Sequence, residues 1–175
     1  MKRSLLVAAA AVLVSVAGCG GGEPAPAAQQ QAPAAAPTPA GSAAGVPPLT
    51  GDPTDLAAPS QAQAGTGEPP TELVTQDVVV GTGPAATLDD TVEVHYSGTL
   101  YQDGTLFDSS WESGAPVEFP LDGVVPGFAQ GIEGMQVGGR RVIVIPPELG
   151  YGDRDQGPIP GGSTLVFVVD LVGIS

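Results

Sequence analysis

The alternation of apolar and polar residues predicts a β-hairpin near the middle of the chain. From Val92 to Tyr96 the two kinds of residue alternate strictly, which is the period of a half-buried strand. Asp103-Gly104 then supplies a turn, because Asp-Gly tolerates the positive φ that tight hairpins need. A second strand follows and carries Phe107 and Asp108. Two interpretations stay open: a hairpin with a solvated Asp, or a concave pocket with one polar group.

Patterns further along the chain predict more strands and one short helix. Further strands are expected at 73–80, 116–121, 140–145 and 164–172. The last two are apolar almost throughout, which indicates central, buried strands. Phe128, Ile132 and Met135 recur at helical spacing; Gly131 would let this helix approach a sheet, and Gly138-Gly139 is expected to stop it. The fold class is therefore α+β, an antiparallel sheet of about five to six strands wrapped around one short helix.

The N-terminus has the features of an export signal. Lys2 and Arg3 precede an apolar segment at 5–16, which is too short to span a bilayer. Small residues then lead to Cys19, the only cysteine, in a pattern similar to a bacterial lipobox. We therefore expect residues 1–18 to be a signal peptide and Cys19 to be lipidated. The alternative is an ordinary signal peptide followed by an incidental cysteine.

Composition divides the remaining chain into a tether and a domain. Residues 19–70 are rich in Ala, Pro, Gly and Gln and contain few large apolar residues, so a disordered tether is expected there. All aromatic residues lie at Tyr96 or later, and residues 71–175 are a normal size for one folded domain.

Charge and residue counts exclude several classes of function. The chain has 19 Asp and Glu against 5 Lys and Arg, a net charge of −14, and no basic patch, so nucleic acid is not an expected partner. A single His excludes a histidine-rich metal site, and a single Cys cannot form an internal disulfide.

Three separate stretches resemble the FKBP-type peptidyl-prolyl cis-trans isomerases. They are VEVHYSGTLYQDGTLFDSS, FPLDGVVPGFAQGIEGMQVGGRRVIVIPPELGYG and IPGGSTLVFVVDLV, and the resemblance covers about residues 73–174. It implies an enzyme that accelerates the isomerisation of X-Pro bonds, here in exported proteins, from a lipid anchor in the bacterial cell envelope. No cofactor or metal is implied; proline-containing segments are the implied partners, with macrolides as further ligands. The alternative is a non-catalytic module, or an envelope chaperone, that binds proline-containing segments.

The resemblance also implies which residues form the site. The catalytic positions are Tyr96, Phe107, Asp108 and Tyr151, and the substrate-binding positions are Val117, Val124, Val125, Phe128, Ile159 and Phe167. In this family pattern the backbone N–H of Val125 holds one substrate carbonyl and the Tyr151 hydroxyl donates to another. His95 lies on the opposite strand face from Tyr96 and is interpreted as structural.

Three departures from the family pattern lead us to expect an altered substrate range. Phe128 stands where the family usually has Trp, so the cavity floor loses an indole N–H and some area. Val117 stands where an aromatic residue is common, and the stretch 153–158 is short and lacks the family's loop histidine.

Overall fold

The computed structural model describes residues 45–175, which form a six-stranded antiparallel sheet and one α-helix. The strands are β1 (Val74–Val79), β2 (Thr91–Leu100), β3 (Leu106–Ser109), β4 (Val117–Pro120), β5 (Arg140–Ile145) and β6 (Leu165–Ile174), and the helix α1 spans Pro126–Ile132. The prediction of an α+β fold is confirmed. The expected signal peptide, Cys19 and the first part of the expected tether lie outside the described residues. Among residues 45–175, no helix combines the length and the apolar character needed to cross a membrane.

The sheet is organised around the two longest strands. Its order is β1-β5-β6-β2-β3, and β4 pairs with β2 as well. Along its free edge β2 pairs first with β4, over Thr91–Val94, and then with β3, over Ser97–Thr99. The hairpin predicted from the alternation is confirmed, with Gly104 in the turn at a φ of 71°. This arrangement places Tyr96 and Gly98 between β6 and the short strand that carries Phe107.

The helix lies close to the sheet because two of its residues have no side chain. A Cβ at Gly131 would lie 2.7 Å from Cδ1 of Ile143, and one at Gly127 would lie 3.1 Å from Cβ of Leu149. Both glycines are buried, as the sequence-based prediction of a closely packed helix requires.

The helix ends earlier than the sequence indicated. Its last residue is Ile132, and Gly134 adopts a φ of 75°, so Gly134 turns the chain away before Gly138-Gly139 is reached. Met135 therefore lies beyond the helix, although it is buried in the core as the stripe predicted. A left-handed conformation costs a glycine little, which is why the chain turns at the first glycine after Ile132 that can adopt it.

The described end of the expected tether is not a free chain. Residues 45–70, called the strap below, run across the face of the sheet opposite the helix. The Ser97 hydroxyl donates to the Ser60 carbonyl at 2.5 Å, and the Gly65 N–H donates to the Tyr101 carbonyl at 2.7 Å. The boundary expected at residue 71 is therefore wrong for the structure of this segment. The strap attaches through backbone groups and small side chains, which leave little signal in composition.

The strap covers a second apolar cluster. The buried members of this cluster are Ala62, Tyr101, Val142, Val144, Val166 and Val168. Strands β5 and β6 are apolar on both faces, so their alternate side chains need cover on each side. The helix covers one face, and the strap covers the other.

A buried ion pair joins the strap to the sheet. The Arg140 guanidinium donates to both carboxylate oxygens of Asp170, at 2.5 and 2.6 Å, and the Arg140 side chain is fully buried. Its remaining donors reach the carbonyls of Pro53 at 3.2 Å and Ala58 at 3.0 Å. A buried charge needs all its hydrogen bonds satisfied, and the strap supplies two of them.

Candidate active site

A cavity of about 350 Å³ lies on the helix side of the sheet. Its walls come from β2, β3, β4, β6, α1, the segment between β4 and α1, and the loop before β6. The lining residues are Tyr96, Phe107, Asp108, Phe119, Gly123, Val124, Val125, Phe128, Tyr151 and Phe167. Eight of them were expected at the site from the sequence.

Aromatic rings make up most of the cavity wall, and Phe128 is at their centre. Its ring centroid lies 5.1 Å from that of Phe167, 5.9 Å from Phe119 and 6.5 Å from Tyr96, all in edge-to-face arrangements. Phe107 belongs to the same cluster of rings: its centroid lies 5.6 Å from that of Phe167, also edge to face. Edge-to-face packing holds each ring against its neighbours, so the wall is preformed.

Gly98 makes room for the Phe107 ring. A Cβ at this position would lie 2.6 Å from Cζ of Phe107 and 3.0 Å from Cε1 of Phe167. Gly98 is the cross-strand partner of Asp108, so the register between β2 and β3 places the neighbouring Phe107 beside Gly98. Sequence analysis did not single out Gly98; a glycine inside an alternating strand is the signal that could have found it.

The cavity contains one carboxylate, held by a tyrosine. The Tyr96 hydroxyl donates to Oδ2 of Asp108 at 2.7 Å. Burial raises the pKa of the Tyr96 phenol well above its usual value, and the hydrogen bond to Asp108 adds to this effect. The phenol therefore stays protonated at physiological pH and keeps donating to the carboxylate. On the backbone side, Ser110 Oγ accepts from the Tyr96 N–H at 2.9 Å, which fixes the strand beneath the ring.

Two hydrogen-bond donors at the cavity are free. Within residues 45–175, neither the Val125 N–H nor the Tyr151 hydroxyl has a hydrogen-bond partner. Val125 is the residue before the first turn of α1, and its carbonyl accepts from the N–H groups of Phe128 and Ala129 at 3.0 and 3.2 Å. Those bonds fix the orientation of the segment that carries the free N–H. The site thus combines an apolar box with two donors able to bind carbonyl oxygens.

Two expected site residues do not line the cavity. Ile159 is 6% exposed and belongs to the main core, where its N–H and carbonyl both pair with Gln156. Val117 is half-buried and packs against the same core. Phe119, two residues further along β4, provides the aromatic wall on that side instead. Val117, Phe119 and Leu121 alternate in the sequence, which is the signal that could have placed Phe119 on the same face as Val117.

The histidine lies outside the site, on the face of β2 away from the cavity. The His95 ring stacks on Trp111 with centroids 4.2 Å apart, and its Nδ1 lies 3.1 Å from Ser110 Oγ. In the part of the chain that the structure describes, no group of three or more His, Cys, Asp or Glu side chains could hold a metal ion.

Curated relatives match this domain closely. The FK506-binding protein of Streptomyces anulatus is 47% identical over 112 residues, which cover 62% of this chain and 90% of the relative. The FKBP-type peptidyl-prolyl cis-trans isomerase FkpA of Escherichia coli K12 is 48% identical over 104 residues, 59% of this chain and 38% of that protein.

Solved structures agree with these relatives. The crystal structure of FkpA from Escherichia coli has a TM-score of 0.57 and 48% identity, and covers 60% of this chain and 49% of that one. The crystal structure of AtFKBP13 has a TM-score of 0.56 and 38% identity, and covers 61% of this chain and 95% of that one.

The fold and the aromatic cavity therefore define a peptidyl-prolyl isomerase domain of the FKBP type. A family model described as FKBP-type peptidyl-prolyl cis-trans isomerase matches residues 83–172, and the chain belongs to this family. The enzyme accelerates cis-trans isomerisation of peptide bonds that precede proline.

Proposed function

We propose that the aromatic cavity binds the proline of the substrate and is the place where the X-Pro amide twists. An apolar box with two free donors at its edge supports this proposal most directly. Phe107, Phe128 and Phe167 would contact the proline ring, and the Val125 N–H and Tyr151 hydroxyl would each bind a carbonyl of the flanking peptide. The bound segment would then take a turn-like shape that brings the amide over the aromatic floor.

The chemistry of the bond explains why such a cavity would accelerate its rotation. Amide resonance sets a barrier of about 18–20 kcal/mol, and no covalent bond has to break. A catalyst must bind the twisted amide more tightly than the planar one. The twisted form has lost resonance and with it much of its charge separation, so an apolar wall disfavours it less than it disfavours the planar amide. Two fixed donors would add orientation without further reorganisation.

Asp108 would act as a positioning group in this proposal. One of its oxygens accepts from the protonated Tyr96 hydroxyl, which fixes the carboxylate against the aromatic wall. Its charge would then interact with the dipole of the twisting carbonyl from a constant position.

The cavity proposal can be tested by locating a bound peptide on the protein. We expect a blocked Ala-Leu-Pro-Phe peptide to shift the Val125 amide resonance in an isotope-labelled full chain. The Gln76 amide, on an outer strand of the sheet, is the internal reference. Tyr151→Phe, which removes only the free hydroxyl, should weaken binding about threefold to tenfold, the usual effect of one lost hydrogen bond. Shifts confined to residues away from α1, with Val125 unmoved, would place the substrate elsewhere.

We also propose that the enzyme is exported and held at the bacterial cell envelope by a lipid on Cys19. The apolar segment and the lone cysteine after small residues support this assignment. Exported proteins would then be its substrates, and their slow proline isomerisation during folding would be the step that it accelerates. Because relatives bear the name FK506-binding protein, macrolides are proposed as ligands of the same cavity.

The anchor proposal is tested by fractionating cells that produce the wild type and Cys19→Ser. The wild type should stay with the membrane fraction and incorporate a labelled fatty acid, whereas Cys19→Ser should do neither. Lys2→Gln is a matched control, since it changes the leader without removing the acceptor thiol. Equal membrane association of wild type and Cys19→Ser, without label in either, would exclude lipidation.

A further inference from the structure

The cavity lies on a protein surface that is almost without free positive charge. Three arginines lie within residues 45–175. The Arg140 side chain is buried against Asp170, and Arg141 pairs with Asp77 through two hydrogen bonds at 2.5 and 3.1 Å. Arg154 is exposed between two aspartates. The carboxylates near the cavity therefore act on an approaching peptide with almost no compensating cation.

Two of those carboxylates stand on turns that hold the cavity walls. Asp122 lies in the 3₁₀ turn Leu121–Gly123 and directly precedes the lining residue Gly123. Glu148 lies in the 3₁₀ turn Pro147–Leu149, which leads to the lining residue Tyr151. Both turns pack against α1, the helix whose Phe128 forms the cavity floor.

Both side chains are available to a ligand. Each is exposed, and within the described residues neither has a hydrogen-bond or ion-pair partner. Asp108, an exposed residue that lines the cavity, adds a third negative charge. Unpaired charges of one sign on turns that adjoin an apolar cleft raise the local concentration of ligands of opposite charge.

We propose that this isomerase selects X-Pro segments that carry Lys or Arg beside the proline over segments that carry Asp or Glu there. The inference rests on the proposed role of the cavity and specifies its substrate class. A cationic side chain at the residue before proline would extend from the aromatic box towards one of the two turns. An acidic side chain in the same place would meet like charge on both sides of α1, with no free cation to offset it except Arg154.

The size of this preference follows from Coulomb's law at an exposed site. Two carboxylates that stay at about 6–8 Å from the substrate charge across water would discriminate a Lys from a Glu substrate by about 30- to 100-fold. Exposed side chains spend much of their time further apart, so we expect about tenfold. Salt screens such an interaction, because the Debye length falls from about 30 Å at 0.01 M to a few ångströms near 1 M. The preference should therefore shrink to about twofold at 0.5 M salt, while the rate for a neutral substrate stays nearly constant.

The test compares blocked Ala-Xaa-Pro-Phe peptides in which Xaa is Lys, Glu or Leu, using the full chain. Magnetisation-exchange NMR measures kcat/KM for each peptide without a coupling protease, whose own specificity would interfere. We expect the order Lys, Leu, Glu at 0.01 M salt, with about tenfold between the ends. The double variant Asp122→Asn with Glu148→Gln should bring the Lys-to-Glu ratio close to that in high salt.

Glu118→Gln is the matched control. Glu118 is exposed on β4 beside Phe119. Its backbone partner across the sheet is Glu93 on β2, and its side chain lies on the face opposite to that of Phe119. Glu118→Gln removes one negative charge, as Asp122→Asn or Glu148→Gln does alone, and should leave the Lys-to-Glu ratio of kcat/KM unchanged. Because the double variant removes two charges and Glu118→Gln removes one, an effect of Glu118→Gln on the ratio as large as half that of the double variant would overturn the assignment to the two turns.

The outcomes separate this inference from the proposed function. Equal acceleration of the Lys and Glu peptides at low salt would overturn the charge preference and leave the cavity proposal intact. Acceleration of none of the three peptides by the folded wild type would overturn both.

Discussion

At the residue scale, the cavity depends on a tyrosine that stays protonated. Burial and the hydrogen bond to Asp108 both raise the pKa of Tyr96 above its ordinary value of 10.0. A group whose pKa is raised on folding stabilises the fold fully below its unfolded pKa, and this contribution is lost as pH rises above that value. The contribution of Tyr96 to stability should therefore be constant at neutral pH and should decrease only on the alkaline side.

We predict that Tyr96→Phe changes the pH dependence of stability above about pH 10, where the unfolded phenol ionises. Below pH 9 the wild type should be more stable than the variant by about 1 kcal/mol, the net value of one hydrogen bond. Above pH 10 this difference should decrease, because only the wild type must then protonate a phenol to fold. Urea unfolding of both proteins from pH 7 to 11 measures the difference. Tyr101 and Tyr151 are common to both and cancel, so a difference that stays constant with pH would contradict the account.

Site residues were predictable from sequence where a side chain carries the chemistry. Tyr96, Phe107, Asp108 and Tyr151 follow from the family pattern, and the structure brings all four to one cavity. Gly98 was not found, because its contribution is the side chain that it lacks. Ile159 was assigned to the cavity by resemblance, whereas it is buried in the main core and does not line the cavity.

At the element scale, the short helix is held by contact with the sheet rather than by its own propensity. It has seven residues, two of them glycine after the first position, and helices of this length are unstable alone. Close approach of its backbone to β5 places Phe128 against Phe167. The cavity floor is therefore set by the space that Gly127 and Gly131 leave to Ile143 and Ile145.

We predict that Gly131→Ala destabilises the protein although alanine favours helices. The new Cβ would lie 2.7 Å from Cδ1 of Ile143 and closer still to its Cγ2, so the helix must move outward. Overpacking of this kind costs about 1–3 kcal/mol, which outweighs the gain of about 1 kcal/mol from propensity. Chemical denaturation measures the change, and kcat/KM should fall as Phe128 shifts.

The exposed helix position Gln130 offers the matched control. Gln130→Ala also introduces alanine into the helix, but it changes propensity by only about a few tenths of a kcal/mol and concerns an exposed side chain, so stability should change by less than about 0.5 kcal/mol. If Gly131→Ala were as stable as the wild type, the close approach of helix and sheet would not limit the fold.

The predicted strands agree with the structure because their sequence patterns are local. The predicted end of the helix differs because it depends on which glycine with a positive φ ends it. Alternation in the outer strands and continuous apolar runs in β5 and β6 predicted the strands to within a few residues, since both patterns are local. The end of the helix was misplaced because Gly134 and Gly138 both adopt positive φ, and the sequence does not show that the helix already ends before the first of them.

At the scale of the whole molecule, the domain has a cover on each face of its sheet. The sequence contained an indication of the second cover, because β5 and β6 are apolar on both faces. Composition argued the other way, since the strap is rich in Ala, Pro and Gly. Ser60 and Ala58 attach through their carbonyls, and no scale of hydrophobicity records such contacts.

We predict that a chain beginning at residue 71 is less stable than one beginning at residue 45 by at least about 2 kcal/mol. Removal of the strap would expose Tyr101, which is 2% exposed, and the valines of β5 and β6 beside it. Full burial of one large apolar side chain contributes about 1.5–3 kcal/mol, and ordering of the strap offsets part of the total. Urea unfolding of the two chains at neutral pH measures the difference, and equal midpoints and slopes would show that the strap adds nothing to the fold.

The most direct test of the central claim is the X-Pro exchange rate of one blocked Ala-Leu-Pro-Phe peptide with the full chain, measured by exchange NMR beside Phe107→Ala and Asp108→Ala. Peptide binding is measured in the same samples, and Trp111→Phe, away from the cavity, is the control. We predict that the wild type and Trp111→Phe accelerate exchange, that Asp108→Ala binds the peptide but loses at least about tenfold in rate, and that Phe107→Ala loses both. Binding without acceleration by the folded wild type would make the cavity a module that only holds proline-containing segments, and unchanged rates in both variants would place catalysis elsewhere on the molecule.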